Sequence, residues 1–413
     1  MTVRRVLTKE EKEKLDCTDF DDVLGIGLYH HHNNGTERGV ESSGLLHRGL
    51  VVNKNDEILY EFLPMHRELV IQEGSSTIEG VPEDVGSYEI FRAVEGCLLR
   101  VFQHEGRWLI TTNRRLDAFQ SRWSSKYSFG DMLVYTLRHI FPEKKEDVLA
   151  YFLQSLDPSL RYVFMTRFNN DNRIVCRVQD VALKDRLLFV GYYQNDSAPP
   201  TPDASTTTTT TDPVQITLAY DKMLDHEVLG KLGRQPPIED EDPMPSTAED
   251  LARLVIDKVN PLYSPGLILF HRTENRQIKL VHPRYAYLAG LRGNQSNIAL
   301  RYLELRASMD HNPEHEDVRE FIRLYDRSAR VFDNIEKGLA EVARKISFFY
   351  TERFVHNRFI SVPFPEYSIM KKCHQWYLQD VSNRRVYLRV VLDFLQRESP
   401  MFLYRIIHRL RRD

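Results

Sequence analysis

The chain has 413 residues, a net charge of −3 at pH 7 and 42% hydrophobic residues, which describes a globular protein of two or three domains. The near-neutral charge argues against a surface that binds nucleic acid electrostatically as a whole, so any such surface is local. Four cysteines, Cys17, Cys97, Cys176 and Cys373, lie in neither Cys-x-x-Cys nor Cys/His metal spacing, which argues against a zinc module or a disulfide framework and fits a reducing, intracellular compartment, cytoplasm or nucleus.

The first stretch, MTVRRVLTKEEKEKLD, is polar and charged, unlike a secretory signal. No run of eighteen or more apolar residues is present to cross a membrane. His30, His31 and His32 are adjacent, so their side chains diverge and serve a shared metal poorly; Asn33-Asn34-Gly35 predicts a loop. Over residues 48–279 the segments RGLVVNK, EILYEF, CLLRVF, RWLITT, YVFMTRF, RIVCRV, LLFVGYY and LILFHR are predicted strands. Lys54-Asn55-Asp56 and His104-Glu105-Gly106 predict hairpin connections. Helices are expected over 129–140 and 144–156, giving an α+β pattern dominated by antiparallel strands. Residues 197–213 hold six consecutive threonines flanked by prolines, and 235–246 are acidic and proline-rich. Both are expected to be flexible insertions.

Beyond residue 306 the character changes. Asn312-Pro313-Glu314 predicts a helix start. Val318, Ile322, Tyr325, Ala329, Phe332, Leu339, Val342, Ile346 and Phe349 then recur at three- and four-residue spacing, the pattern of amphipathic helices, with a bend near Gly338. VPFPEY interrupts the pattern. Further helices are expected over 369–378, 385–396 and after Pro400. The predicted organisation is a sheet-rich domain over 1–306 and an all-α domain over 307–413.

Chemistry enters at Glu95. The stretch EGCLLRVFQHEGRWLITTNRRLDAFQSRW places Glu-Gly on a strand, followed by a hairpin and a second strand ending Thr-Thr-x-Arg. It resembles motif I (Lys-x-Asp/Glu-Gly) and the following basic motif of the covalent nucleotidyltransferases. Upstream, Arg48-Gly49 opens a strand and Phe62-Leu63-Pro64-Met65 follows. Downstream come Asn172-Arg173-Ile174-Val175 and then Gln277-Ile278-Lys279 with Tyr285, preceded by Gly266-Leu267-Ile268-Leu269. In this order the segments resemble those of the phage-type RNA ligases, and the chain also looks similar to ligase-like proteins of large DNA viruses. The resemblance covers roughly residues 45–306. It implies an antiparallel-sheet-rich, ATP-grasp-like nucleotidyltransferase domain. The nucleotide-binding positions it implies are Arg48, Glu95, Gly96, Arg114, Arg173 and Lys279, with ATP and Mg²⁺ as cofactors of an active member.

Against that pattern the reacting parts are missing. Ala93 stands where the family's nucleophilic lysine belongs, and a methyl group cannot attack phosphorus. Its neighbour Arg92 stays protonated. Thr166 and Pro265 stand at two glutamate positions, and Gln277 at the first motif V lysine. Losing the carboxylates removes oxygen ligands that Mg²⁺ favours. No lysine lies between Met65 and Lys126. Cys97 beside Gly96 reads as a packing thiol.

Arg114, Arg115, Arg122 and Lys126, interleaved with Trp123 and Tyr127, suit a nucleic-acid backbone with stacked bases as well as a solvated face. Arg405, Arg409, Arg411 and Arg412 suit a helix C-terminus whatever the function. The leading reading is a degenerate RNA-ligase-like protein without self-adenylylation, acting in nucleotide or RNA binding or as a scaffold. Two alternatives stay open. One is an active ATP-dependent RNA ligase using a lysine from elsewhere, such as Lys126 or Lys184. The other is a structural or virion-associated protein whose helical domain docks a protein partner.

Overall fold

The computed structural model describes residues 6–31, 48–61, 67–72, 81, 84–144, 146–167, 173–178, 182–194, 217–218, 225–238, 244–272 and 277–410. The threonine tract, Phe62-Leu63-Pro64-Met65, His32 and Asn172 lie outside the described residues. The chain divides into two units, Met1–Ala286 and Tyr287–Asp413.

In the first unit a short helix, α1 (Lys9–Glu13), leads to β1 (Leu15–Asp21), β2 (Ile26–His31), β3 (Arg48–Asn53) and β4 (Ile58–Tyr60), an antiparallel sheet in sequence order. His30 and His31 thus close a strand instead of lying in a loop. β5 (Arg67–Val70) and β6 (Tyr88–Arg92) belong to a second sheet. β7 (Gly96–His104) and β8 (Arg107–Thr112) begin a third. Their hairpin turns through Glu105 (φ 48°) and Gly106 (φ 75°), the positive-φ pair that a tight two-residue connection needs.

α2 (Phe129–Ile140) and α3 (Val148–Gln154) follow. Ser128 and Asp131 close a reciprocal cap at the start of α2, which holds its first residue at Phe129. β9 (Leu160–Arg167), β10 (Leu187–Gln194), β11 (Thr217–Leu218) and β12 (Gly233–Arg234) complete the third sheet, whose order is β11-β10-β9-β7-β8 with β12 beside β10. α4 (Ala248–Lys258), β13 (Gly266–His271) and β14 (Gln277–Val281) complete the second, in the order β5-β14-β13-β6. α5 (Pro283–Arg292) runs across the division at Ala286.

Period-two alternation gives the third sheet two buried faces. Leu99, Val101, Tyr162 and Phe164 face Leu133, Leu137 and Phe152 of α2 and α3. Phe102, Val163 and Tyr193 face Leu28, Val51 and Tyr60 of the first sheet. The second sheet buries Leu267, Leu269 and Leu280 against Leu251 and Val255 of α4. Each such side chain contributes about 1.5–3 kcal/mol of burial.

Three expectations are corrected here. RIVCRV (173–178) is not a strand but an irregular segment, because its amides bond to a carboxylate instead of a neighbouring strand. Residues 235–238 are not a free insertion. Ile238 is buried in the core of the second sheet, Phe91 bridges to Pro237, and the carbonyl of Pro236 accepts from the N–H of Arg92. The division falls after Ala286 rather than at 306, because the next helix buries Leu300, Tyr302 and Leu303 within the helical unit.

That unit comprises α6 (Ile298–Ser308), α7 (Glu316–Leu324), α8 (Ala329–Tyr350), α9 (Phe364–Leu378), α10 (Leu388–Gln396) and α11 (Pro400–Leu410). α8 buries Phe332, Ile335, Leu339, Val342 and Ile346 on one stripe and packs against α6, α9, α10 and α11. Helix α7 starts at Glu316, capped by His315, while Asn312 holds the preceding turn by accepting from the N–H of Glu314. α8 runs unbroken through Gly338. A Cβ there would stand 2.6 Å from Ile407 Cγ2, so the glycine lets α11 approach. Pro363 and Pro365 start α9 rather than break it, since a helix's first turn tolerates proline. Among the described residues no helix is long and apolar enough to cross a membrane.

Candidate nucleotide site at the sheet crossing

β6 lies in the second sheet and β7 in the third, so Ala93, Val94 and Glu95 carry the chain from one sheet to the other. Two further segments meet there. The N–H of Ala93 donates to the carbonyl of Gly266 at 2.8 Å, and Ser264 Oγ donates to the carbonyl of Ala93 at 2.8 Å. The N–H of Arg177 donates to the carbonyl of Leu262 at 2.7 Å. Gly266 is required by this crossing. Its φ is +152°, and a Cβ would stand 1.9 Å from the carbonyl oxygen of Leu280.

Glu95 organises the crossing. It is buried, at 7% exposure. Its Oε1 accepts from the N–H of Ile174. Its Oε2 accepts from the N–H groups of Val175 and Cys176, each at 2.9 Å, and from Tyr285 Oη at 3.2 Å. A carboxylate has about four acceptor positions, so four donors leave at most one lone pair, on Oε1. The amides that a strand would have paired are satisfied here by one side chain. Burial, with the adjacent Glu95 carboxylate adding to it, pushes the Cys176 thiol and the Tyr285 phenol well above their ordinary pKa values.

The remaining expected positions fall into two groups. Gly96, Arg173 and Lys279 join Glu95 around the crossing. A Cβ on Gly96 would meet the Thr166 carbonyl oxygen at 2.6 Å, which explains the glycine by close approach of β9. Arg173 is buried, and its Nη1 donates to the carbonyl of Val175 at 2.8 Å. Lys279 Nζ pairs with Glu68 Oε1 of the facing strand at 2.9 Å and is close enough to act on the Cys176 thiol. Arg48 and Arg114 flank a different contact. Gly49 (φ +74°) sits against the Asn113 carbonyl and the Arg100 guanidinium, with Arg48 before Gly49 and the exposed Arg114 after Asn113.

Arg100 locks that contact. It is fully buried and donates to the carbonyls of Gly49 and Thr112 and to Thr111 Oγ1. The third group proposed from sequence disperses. Arg115 pairs with Asp19 at 3.3 Å, Arg122 is exposed, and Lys126 Nζ lies 4.9 Å over the Tyr127 ring. Trp123, expected to face a nucleic acid, packs instead against the core of the third sheet, because its large apolar ring is better buried there than left in water.

For chemistry, Ala93, expected from sequence at a nucleophile's position, is a buried methyl group at 4% exposure. The side chain of Lys184 lies outside the described residues. Thr166, paired across strands with Cys97, is a buried hydroxyl rather than a carboxylate. Among the described residues no three His, Cys, Asp or Glu side chains are grouped to hold a metal ion, and Glu95 is already occupied. Among the described residues the donor set does not fit catalytic Mg²⁺. Cys97 packs against the core of the third sheet, and burial pushes its thiol up to about 12, so it is no nucleophile at neutral pH. Sequence reasoning missed Ser264, Cys176, Arg167 and Arg186. Strand register brings Arg167 and Arg186 to the crossing, and hydrogen bonds between distant segments bring Ser264 and Cys176.

No family model matches the chain. It is 22% identical over 377 residues to the immediate-early protein ICP-46 homolog of invertebrate iridescent virus 6, a match covering 87% of this chain and 76% of the relative. Against the homolog of invertebrate iridescent virus 3 it is 24% identical over 298 residues, covering 71% of this chain and 55% of the relative. Against immediate-early protein ICP-46 of frog virus 3 (isolate Goorha) it is 33% identical over 108 residues, covering 24% and 27%. Among solved structures, a putative ATP-dependent DNA ligase from Aquifex aeolicus overlaps with a TM-score of 0.35 at 12% identity, covering 82% of this chain and 79% of that one. A lysine-to-alanine mutant of the Naegleria gruberi RNA ligase with ATP and Mn overlaps with a TM-score of 0.31 at 13% identity, covering 64% and 72%. Neither overlap is close enough to define a common fold.

Proposed function

We propose that this chain is a degenerate RNA-ligase-like protein that binds nucleotide or RNA phosphate and does not adenylylate itself. The observation that carries this reading is the connector between β6 and β7. It presents a buried methyl group at Ala93 and, two residues on, a carboxylate already bound by four donors. Adenylyl transfer needs an unprotonated amine aimed at the α-phosphorus and oxygen ligands for Mg²⁺, and the connector supplies neither. What persists is cationic. Arg173 and Lys279 stand at the crossing, and Arg48 and Arg114 flank the Gly49 contact. In this reading Glu95 shapes the site and the cations bind. The ligase-like nucleotidyltransferase fold is assigned on the same ground, the order of the motif-bearing segments and the meeting of those that carry Glu95, Arg173, Gly266 and Lys279 at one crossing.

A second reading, in which the helical unit docks a protein partner, is favoured by Phe359 and Phe364, which stand 93% and 81% exposed.

The test is equilibrium binding of ATP and of a short oligoribonucleotide to the full chain, with and without Mg²⁺. The reading expects reversible binding that Mg²⁺ does not strengthen and that Lys279→Gln weakens severalfold. Failure of both ligands to bind, or strict dependence on Mg²⁺, overturns it.

A further inference from the structure

Arg167 ends β9 and Arg186 immediately precedes β10. Thr166 pairs with Leu187 in antiparallel register, so the two arginines take the next facing positions across adjacent strands. On the other side of Arg167 the facing residue is Gly96. The pair therefore sits at the end of the third sheet where the Glu95 crossing begins.

Both arginines have unused donors. Their Nε atoms are buried and have no hydrogen-bond partner. Among the described residues the Arg167 side chain makes no hydrogen bond and no ion pair, and Arg186 Nη2 reaches only the carbonyl of Val178, at 3.5 Å. Burial lowers the pKa of Arg167, and the positive charge of Arg186 lowers it further. Asp185 and Glu95 attract Arg167 without forming an ion pair with it, and Glu95 is spent on its own donors. Two like charges, partly withdrawn from water with buried donors unmet, destabilise a fold unless something compensates them.

We propose that Arg167 and Arg186 form a phosphate-binding subsite. A carboxylate would be used up by one guanidinium fork, whereas a phosphate presents enough oxygens to accept from two. The subsite deepens the proposed function and rests on that reading only for the source of the phosphate, a nucleotide or the 5′ end of an RNA.

The probe is inorganic pyrophosphate, titrated against the full chain at constant ionic strength. Wild type is expected to bind it and to melt at a higher temperature in its presence. Arg167→Gln and Arg186→Gln are each expected to bind at least tenfold more weakly, while Arg107→Gln, on the exposed β7–β8 hairpin, binds as wild type. In phosphate-free buffer Arg167→Met is expected to melt above wild type, because it removes an uncompensated charge; a purely structural arginine would give the opposite sign. ATP against adenosine, and a 5′-phosphorylated against a 5′-hydroxyl oligoribonucleotide, identify the source. Pyrophosphate binding that is absent in wild type or unchanged in both Gln variants overturns the subsite. Pyrophosphate binding that needs both arginines while ATP and RNA fail upholds the subsite and removes the nucleotide reading instead.

Discussion

Replacing Glu95 by Gln isolates what the carboxylate does. In the native chain it accepts three backbone N–H groups and one phenol while buried. If the Gln carbonyl takes the Oε2 position, its NH₂ faces the N–H of Ile174. One buried donor is then left unpaired, at about 1–3 kcal/mol. The other three bonds lose their charge assistance, at about 1 kcal/mol each. The sum is about 4 kcal/mol or more, a large fraction of the roughly 5–15 kcal/mol that holds a domain together. Urea unfolding followed by tryptophan emission measures it. A Trp376→Phe background leaves Trp108 and Trp123, both in the first unit, as the reporters. A denaturation midpoint close to the parent's, together with weakened ATP binding, would refute the reasoning and make Glu95 a ligand contact instead of the clasp of the crossing.

Gly266→Ala should be among the most damaging single-methyl changes in the first unit, since its Cβ would stand 1.9 Å from the Leu280 carbonyl oxygen at φ +152°. A loss of about 3 kcal/mol or more, read as reduced soluble yield or a lower melting temperature, is expected. With a thiol reagent near neutral pH, the exposed Cys17 should react fast, the half-buried Cys97 slowly, and Cys176 and Cys373 only on unfolding. Burial holds all three thiols protonated, Cys97 and Cys373 at about 12. The helical unit should weaken in mild acid. Burial lowers the pKa of His374 below its ordinary 6.5, so as pH falls through 6.5 the unfolded chain takes up a proton that the folded one resists. The urea midpoint reported by Trp376 should drop between about pH 7.5 and about pH 5.5, and His374→Gln should flatten that slope.

Much of this architecture is written locally. Ser128 and Asp131 mark the start of α2 through a cap, and Glu105-Gly106 mark the β7–β8 hairpin through positive φ. The 173–178 segment shows where local reading stops. Ile174, Val175 and Val178 carry strand-forming side chains, but a carboxylate about eighty residues earlier in the chain claims the amides, and no local periodicity reports that. The sequence predicts a bend at Gly338 and an interruption at VPFPEY because glycine and proline both disfavour helix interiors. Their actual roles, contact with Ile407 and a place in a first turn, depend on tertiary packing and on where the helix begins. At the site, the absence of an amine at Ala93 was legible by comparison with a motif. The four donors to Glu95 and the pairing of Arg167 with Arg186 were not, since the first come from an irregular segment and a helix distant in sequence and the second follows from strand register.

The central claim is that the connector cannot be adenylylated. Intact-mass spectrometry of the full chain after incubation with ATP and Mg²⁺ tests it directly, with Ala93→Lys in parallel. The account predicts the unmodified mass for wild type and at most a trace of adenylate on the variant, because a restored amine still lacks carboxylates to place the metal. A wild-type species heavier by one AMP, lost on mild acid treatment, would contradict it.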